Sequence, residues 1–212
     1  MATKDRELGD SWGYKGIVKI DSKITRSTKE IMLNSKEIEV QKAEIFGEDG
    51  SSGCIILQRP SLISSHITDT MHDCFVLSLA FAGVMNNSMA GFYRSKYKPV
   101  AKPSPDTPRE GDFHYMLSTQ FESCDARRAF PCFDEPNLKA TFDFEIEVPK
   151  GQTALSNMPV KSERDGSSPG LKVVSFERTP VMSTYVSLYL YVIIPHVANH
   201  SSTTTAPSMG CW

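Results

Sequence analysis

The chain has 212 residues, enough for one large domain or two small ones. Apolar residues make up 40% of it, sufficient for a core, and the formal net charge is −2 with an isoelectric point near 6.2. No run of Lys and Arg stands out, so there is no electrostatic case for a nucleic-acid partner.

The opening residues, MATKDRELGDSWGYKG, contain no apolar h-region of the secretory type. The expectation is a cytoplasmic chain with no membrane partner. The five cysteines, Cys54, Cys74, Cys124, Cys132 and Cys211, include no C-x-x-C pair. Their odd number and the missing leader predict reduced thiols. Asn86-Asn87-Ser88 and Asn199-His200-Ser201 fit the glycosylation pattern, which has no consequence in the cytosol.

Residues 15–50 read as β-structure. Gly16–Asp21, Glu30–Asn34, Glu37–Val40 and Ala43–Phe46 are expected strands, and Glu48-Asp49-Gly50 a hairpin-type turn. The period of two and the short turns argue for antiparallel pairing. Residues 51–74 are rich in Ser and show no clear period. They are expected to be either an altered splice or reading-frame product, or a divergent surface insertion. His66 and His72 fall there at a spacing that suits no helix face for a metal. Phe75–Gly83 and Gly91–Tyr97 read as strands around an Asn86-Asn87-Ser88 turn. Residues 98–111 carry four prolines and read as a surface connection.

The densest chemistry lies in 118–144, STQFESCDARRAFPCFDEPNLKATFDF. Thr119, Gln120 and Glu122 end an alternating segment, Phe113–Leu117, that reads as a strand. Taken alone, Glu122 is a surface carboxylate at a loop. Asp125, Arg127, Arg128, Asp134 and Glu135 follow within eleven residues and predict a turn locked by Arg–carboxylate pairs. Pro131 and Pro136 exclude one continuous helix. Phe142–Val148 is the cleanest alternating strand, with Asp143, Glu145 and Glu147 on a solvated outer face. Residues 162–170 read as a polar turn and Lys172–Glu177 as a further strand. The fourteen mostly apolar residues Val181–Ile194 are too short to span a membrane and suggest a strand. Residues 201–212 are expected to be disordered.

The 118–144 stretch resembles the N-terminal β-domain of the zinc aminopeptidases of the aminopeptidase-N and puromycin-sensitive aminopeptidase family, closest to cytosolic, fungal-type members. DARRAFPCFDEP matches at nearly every position. GYKG-x-V-x-I, LNSKEIEV, the segment from Phe75 to Tyr97, Leu155–Pro159 and TPVMSTY add to the likeness. The resemblance implies an all-β fold of mostly antiparallel, saddle-like, sandwich-like sheets, with short helical turns near DARRAFPCFDEP. It places the domain at 1–185 and leaves 186–212 as a non-family tail. It also implies that Gln120 and Glu122 face the substrate. Glu122 would anchor the peptide's amino terminus, and Gln120 would line the pocket for the first side chain.

The family reaction is zinc-assisted hydrolysis of the first peptide bond. Neither H-E-x-x-H nor G-x-M-E-N, the family's catalytic signatures, occurs in this chain. His196-Val197-Ala198-Asn199-His200 has the two histidines but Val197 in place of the general base, with Pro195 beside it. The expectation is therefore zinc in the intact enzyme and none bound here, no catalytic residues in this chain, and two partners: a peptide N-terminus and a missing catalytic domain. The other readings are a non-catalytic peptide- or partner-binding β-module and an unrelated all-β interaction domain.

Overall fold

The computed structural model describes residues 3–4, 12–25, 28–47, 55–59, 62–71, 74–97, 114–187 and 189–192. In chain order the strands are β1 (Thr3–Lys4), β2 (Trp12–Lys23), β3 (Thr28–Asn34), β4 (Ile38–Gly47), β5 (Ile55–Arg59), β6 (Leu62–Met71), β7 (Cys74–Met85) and β8 (Gly91–Tyr97). There follow β9 (His114–Gln120), β10 (Lys139–Ala140), β11 (Glu145–Pro149), β12 (Thr153–Ser156), β13 (Val160–Asp165), β14 (Leu171–Phe176), β15 (Met182–Ser183) and β16 (Tyr189–Val192). They form sheets ordered β1-β2-β7-β4, β3-β6-β5, β12-β16-β9-β8, β11-β14-β13 and β10-β15. The strand pairs are antiparallel, and helical structure among the described residues is confined to short 3-10 turns. The all-β expectation holds.

Alternation explains the core. In β7 the side chains of Phe75, Leu77, Leu79 and Phe81 are buried, while their neighbours are only partly so. Leu77 and Leu79 pack with Ile31, Leu33 and Ile45 between the β7 and β3 sheets. A second cluster joins Tyr14, Phe81 and Met85 to Leu117, Val148 and Val174 of three further strands. The second cluster contains Leu117 of β9 and packs Phe92 of β8, which anchors the two strands that lead to Gln120.

Several expected boundaries move. The first strand runs from Trp12 to Lys23, beyond Gly16–Asp21, because its full length pairs with β7. Residues 51–74 contain β5 and β6, both antiparallel neighbours within the β3 sheet. Backbone pairing needs no apolar alternation, so the sequence signal was silent there. Residues 160–165 form β13 rather than a turn. This edge strand is exposed at every position, which erases the period-two pattern. The β11 ladder begins at Glu145. Phe142 is instead held by Thr179, whose Oγ1 accepts the Phe142 N–H at 2.9 Å. A 3-10 turn at Thr184–Val186 interrupts the apolar 181–194 segment, and β16 then pairs with both β12 and β9. The Glu48-Asp49-Gly50 turn, His72 and residues 201–212 lie outside the described residues.

The acidic outer face of β11 is solvated, as expected, and matched by cations. Asp143 takes Arg178 in a two-point contact at 3.0 and 2.5 Å. Glu145 takes Arg164 at 3.0 and 2.7 Å and the Ser175 hydroxyl at 2.6 Å. The Arg164 hydrogen bonds, then that of Ser175, pull the Glu145 carboxyl down to about 2 from an ordinary 4.5. A depressed folded value adds stability above the unfolded value and loses it as pH falls from 4.5 towards 2. Thermal melts should therefore show a gap between wild type and Glu145→Gln at pH 6 that closes by pH 2. The pair is half-exposed, so the gap is small. A gap that persists at pH 2 would show that the carboxylate does not carry the effect.

Candidate functional site

β9 ends at Gln120, whose backbone pairs with Gly91 of β8. Gly91 has φ +68, and a Cβ there would approach Arg128 Cβ to 2.5 Å. A glycine is therefore needed where β8 passes under the loop that follows β9. Phe121, 2% exposed, turns inward and packs with Ala126, Ala129 and Cys132, its ring edge-on to Phe130 at 6.0 Å. With Phe121 buried, its neighbours on either side, Gln120 and Glu122, are both exposed.

The loop beyond is a series of tight turns. The Asp125 amide donates to Phe121 O at 2.9 Å, and one 3-10 turn spans Ala126–Arg128. Pro131 is fully buried where a helix would otherwise continue. The loop is tied to the β3–β4 connection by main-chain bonds. Asn34 N donates to Cys132 O at 2.8 Å, Cys132 N to Asn34 O at 3.1 Å, and Lys36 N to Arg127 O at 2.8 Å.

Both arginines of the loop are paired with carboxylates, as the residue types suggested. Arg127 Nε meets Asp134 Oδ2 at 2.8 Å, with the Asp134 side chain only 2% exposed. Burial alone would lower the Arg127 value, but the hydrogen bond and charge of Asp134 outweigh it and hold the guanidinium above its ordinary value. Arg128 lies between Glu37 (2.5 Å) and Asp125 (2.7 Å). Its value is raised by the Glu37 hydrogen bond, burial opposing, and by Asp125. Glu135 takes the Asn34 amide at 3.2 Å rather than an arginine. Burial, reinforced by Asp134, pushes the Cys132 thiol well above its ordinary value, so it is an inert packing group. Ser183 and Thr184 donate to the carbonyls of Pro136 and Phe133 at 2.7 and 2.9 Å and close the far side.

Glu122 stands apart. Among the described residues, neither Glu122 nor the Gln120 side chain has a hydrogen-bond or ion-pair partner. The loop thus presents the Glu122 carboxylate and the neutral Gln120 amide outward from a frame in which Asp125, Arg127, Arg128 and Asp134 are all paired and Glu135 takes the Asn34 amide. An exposed carboxylate held this way can accept charge-assisted hydrogen bonds from a cation supplied from outside.

Sequence reasoning missed the fastener of this frame. Tyr14 OH lies 2.9 Å from Arg128 O and 3.0 Å from Ala129 O, 114 and 115 residues away. Its ring lies across Gly83 of β7, the cross-strand partner that leaves it room, and edge-on to Phe92 at 5.0 Å. Burial, with Glu37 nearby, raises the Tyr14 value far above that of a free phenol. Tyr14→Phe should cost about 1–2 kcal/mol in urea unfolding at neutral pH, one buried hydrogen bond without a packing defect. Because the folded value is raised, wild type should also lose stability as pH climbs past about 10, when the unfolded phenol ionises. The Phe variant should lack that component, and a common alkaline decline in both proteins would refute the assignment.

Among the described residues, no three His, Cys, Asp or Glu side chains converge to hold a metal ion. Of His66 only the backbone is placed, and His72, His196 and His200 lie outside the described residues. The described residues do not fit a zinc ion. Among them, no helix is long and apolar enough to cross a membrane.

The sequence matches the Peptidase M1 N-terminal domain over residues 8–186, a range that includes 51–74. Aminopeptidase M1 of Arabidopsis thaliana is 36% identical over 197 residues, covering 89% of this chain and 21% of the relative. Aminopeptidase 2, mitochondrial, of Saccharomyces cerevisiae is 37% identical over 191 residues, covering 87% and 19%. Puromycin-sensitive aminopeptidase of Caenorhabditis elegans is 34% identical over 182 residues, covering 84% and 18%. The chain spans about a fifth of the length of these curated relatives. With the all-β fold and the extent of the match together, the chain belongs to the Peptidase M1 N-terminal domain family.

Proposed function

We propose that this chain is the substrate-anchoring domain of a zinc metalloaminopeptidase that removes N-terminal residues from peptides. The observation that carries this reading is Glu122, an outward carboxylate without a counter-charge among the described residues, on a loop whose Asp125, Arg127, Arg128 and Asp134 are all paired. Glu122 accepts hydrogen bonds from the peptide's α-ammonium group, and Gln120 borders the first side chain. Zinc, which polarises the scissile carbonyl and activates water in such enzymes, belongs to a catalytic domain outside this chain. The chain alone is non-catalytic in this reading. Domain limits of 1–185, with 186–212 as a tail, and a cytoplasmic location are part of the same proposal.

Exposed apolar side chains favour a covering partner. Leu138 and Val181 flank the β10–β15 pair and Val186 follows it, at 46%, 66% and 46% exposure. In this proposal the catalytic domain covers them. The test is Glu122→Ala in the full-length aminopeptidase, read with free and blocked amino termini.

A further inference from the structure

Alongside the β8–β9 ladder lies a cleft of about 670 Å³. Gln120 pairs with Gly91, whereas Tyr115 pairs with Lys96, five residues and about 17 Å along the strand. Arg94 pairs with Leu117, an odd number of residues from Gln120, so the guanidinium and Gln120 belong to opposite faces of the ladder.

We propose that this cleft is an oxyanion site taking a phosphate group, either inorganic phosphate or a small phosphate monoester. Its centre is Arg94. The guanidinium lies 5.6 Å from the Trp12 ring and 5.4 Å from the Tyr115 ring, and the two rings are 5.5 Å apart. Aromatic faces hold a guanidinium in place without neutralising it. Arg94 Nε donates to Asn87 Oδ1 at 2.8 Å, which fixes the plane and leaves the two terminal nitrogens as parallel donors. Among the described residues, no carboxylate pairs with Arg94 and no Asp or Glu lines the cleft.

The support is preorganised. Asn86 Oδ1 accepts the Ser88 amide at 2.8 Å, Asn86 Nδ2 donates to Ala90 O at 2.7 Å, and Arg94 N donates to Asn86 O at 3.1 Å. This turn holds Asn87. With its oxygen taken by Arg94, the Asn87 amide presents a donor to the cleft. Lys96, on the same strand as Arg94, has its Nζ 5.8 Å from the Tyr115 ring. Donors arriving from several directions suit a tetrahedral oxyanion better than a planar carboxylate, which the Arg94 fork alone would satisfy.

Trp12 reports on the site, and Trp212 is the only other tryptophan. In a Trp212→Phe background, phosphate added at constant ionic strength should give a saturable change in Trp12 fluorescence. Acetate should bind about 10-fold more weakly, because it cannot use the additional donors. Arg94→Gln should weaken phosphate by about 10-fold or more, and Arg94→Lys by less, since it keeps the charge without the fork. Phenyl phosphate binding at least as well as phosphate would assign a monoester; binding of inorganic phosphate alone would assign the free ion. No saturable change, or equal responses to phosphate and acetate in the unsubstituted site, would overturn the proposal without any variant needing to fold. An Arg94→Gln response equal to wild type would do the same. Glu122→Ala should leave the phosphate response intact, so failure here is distinguishable from failure of the substrate-anchoring reading.

Discussion

On the proposed substrate-anchoring reading, replacing Glu122 by Ala in an aminopeptidase containing this domain should lower kcat/KM by about 30-fold to a few thousand-fold. An exopeptidase must recognise a free α-ammonium group, because that charge separates a chain end from every internal peptide bond. A carboxylate does so through charge-assisted hydrogen bonds in a site that excludes water. Glu122 suits the task because no described residue competes for its oxygens. Removing one member of a desolvated charge pair costs about 2–5 kcal/mol, which sets the range above. Glu122→Gln keeps an acceptor and should fall at the mild end. Gln120→Ala should shift the preference among first residues rather than the overall rate. The control is a substrate with a blocked amino group, whose poor turnover should hardly respond to Glu122→Ala. Equal losses on free and blocked substrates would make Glu122 a structural residue.

The largest stability effect is expected at the ion pair beneath this loop. Arg127→Ala should destabilise the chain by about 3–5 kcal/mol in urea unfolding, because it strands a buried carboxylate. Asp134 keeps only its contact with the Arg127 backbone amide, at 3.3 Å. Asp134→Ala should cost less, about 1–3 kcal/mol, since the Arg127 side chain is 23% exposed and its charge can reach water. The double change Arg127→Met with Asp134→Leu should be milder than Arg127→Ala alone, because no uncompensated charge is left. If Asp134→Ala proved the more damaging single change, the asymmetry of burial would not be the controlling factor. The unfolding slope m should stay constant across the series.

The sequence by itself determined those features that depend on neighbours along the chain. The alternation of β7 and of Ile146 and Val148 in β11 is such a feature, since a side chain's face in a strand is set by its parity. So is the break at Pro131, and so is the motif that singled out Gln120 and Glu122. The three carboxylates and two arginines of 125–135 announced ion pairing, but not its partners. Arg128 reaches outside the window to Glu37, while Glu135 goes to Asn34. Only the tertiary structure decided these matches, because they depend on the β3–β4 connection, a segment that precedes the loop by as many as 101 residues, being brought back against it. The same holds for β5 and β6, which owe their strand state to pairing in the β3 sheet rather than to a pattern of their own. It holds for Tyr14, whose hydroxyl meets carbonyls 114 and 115 residues away. Local periodicity records which way a side chain points; what it meets there is fixed by closure of the chain across long separations, and no local pattern carries that information.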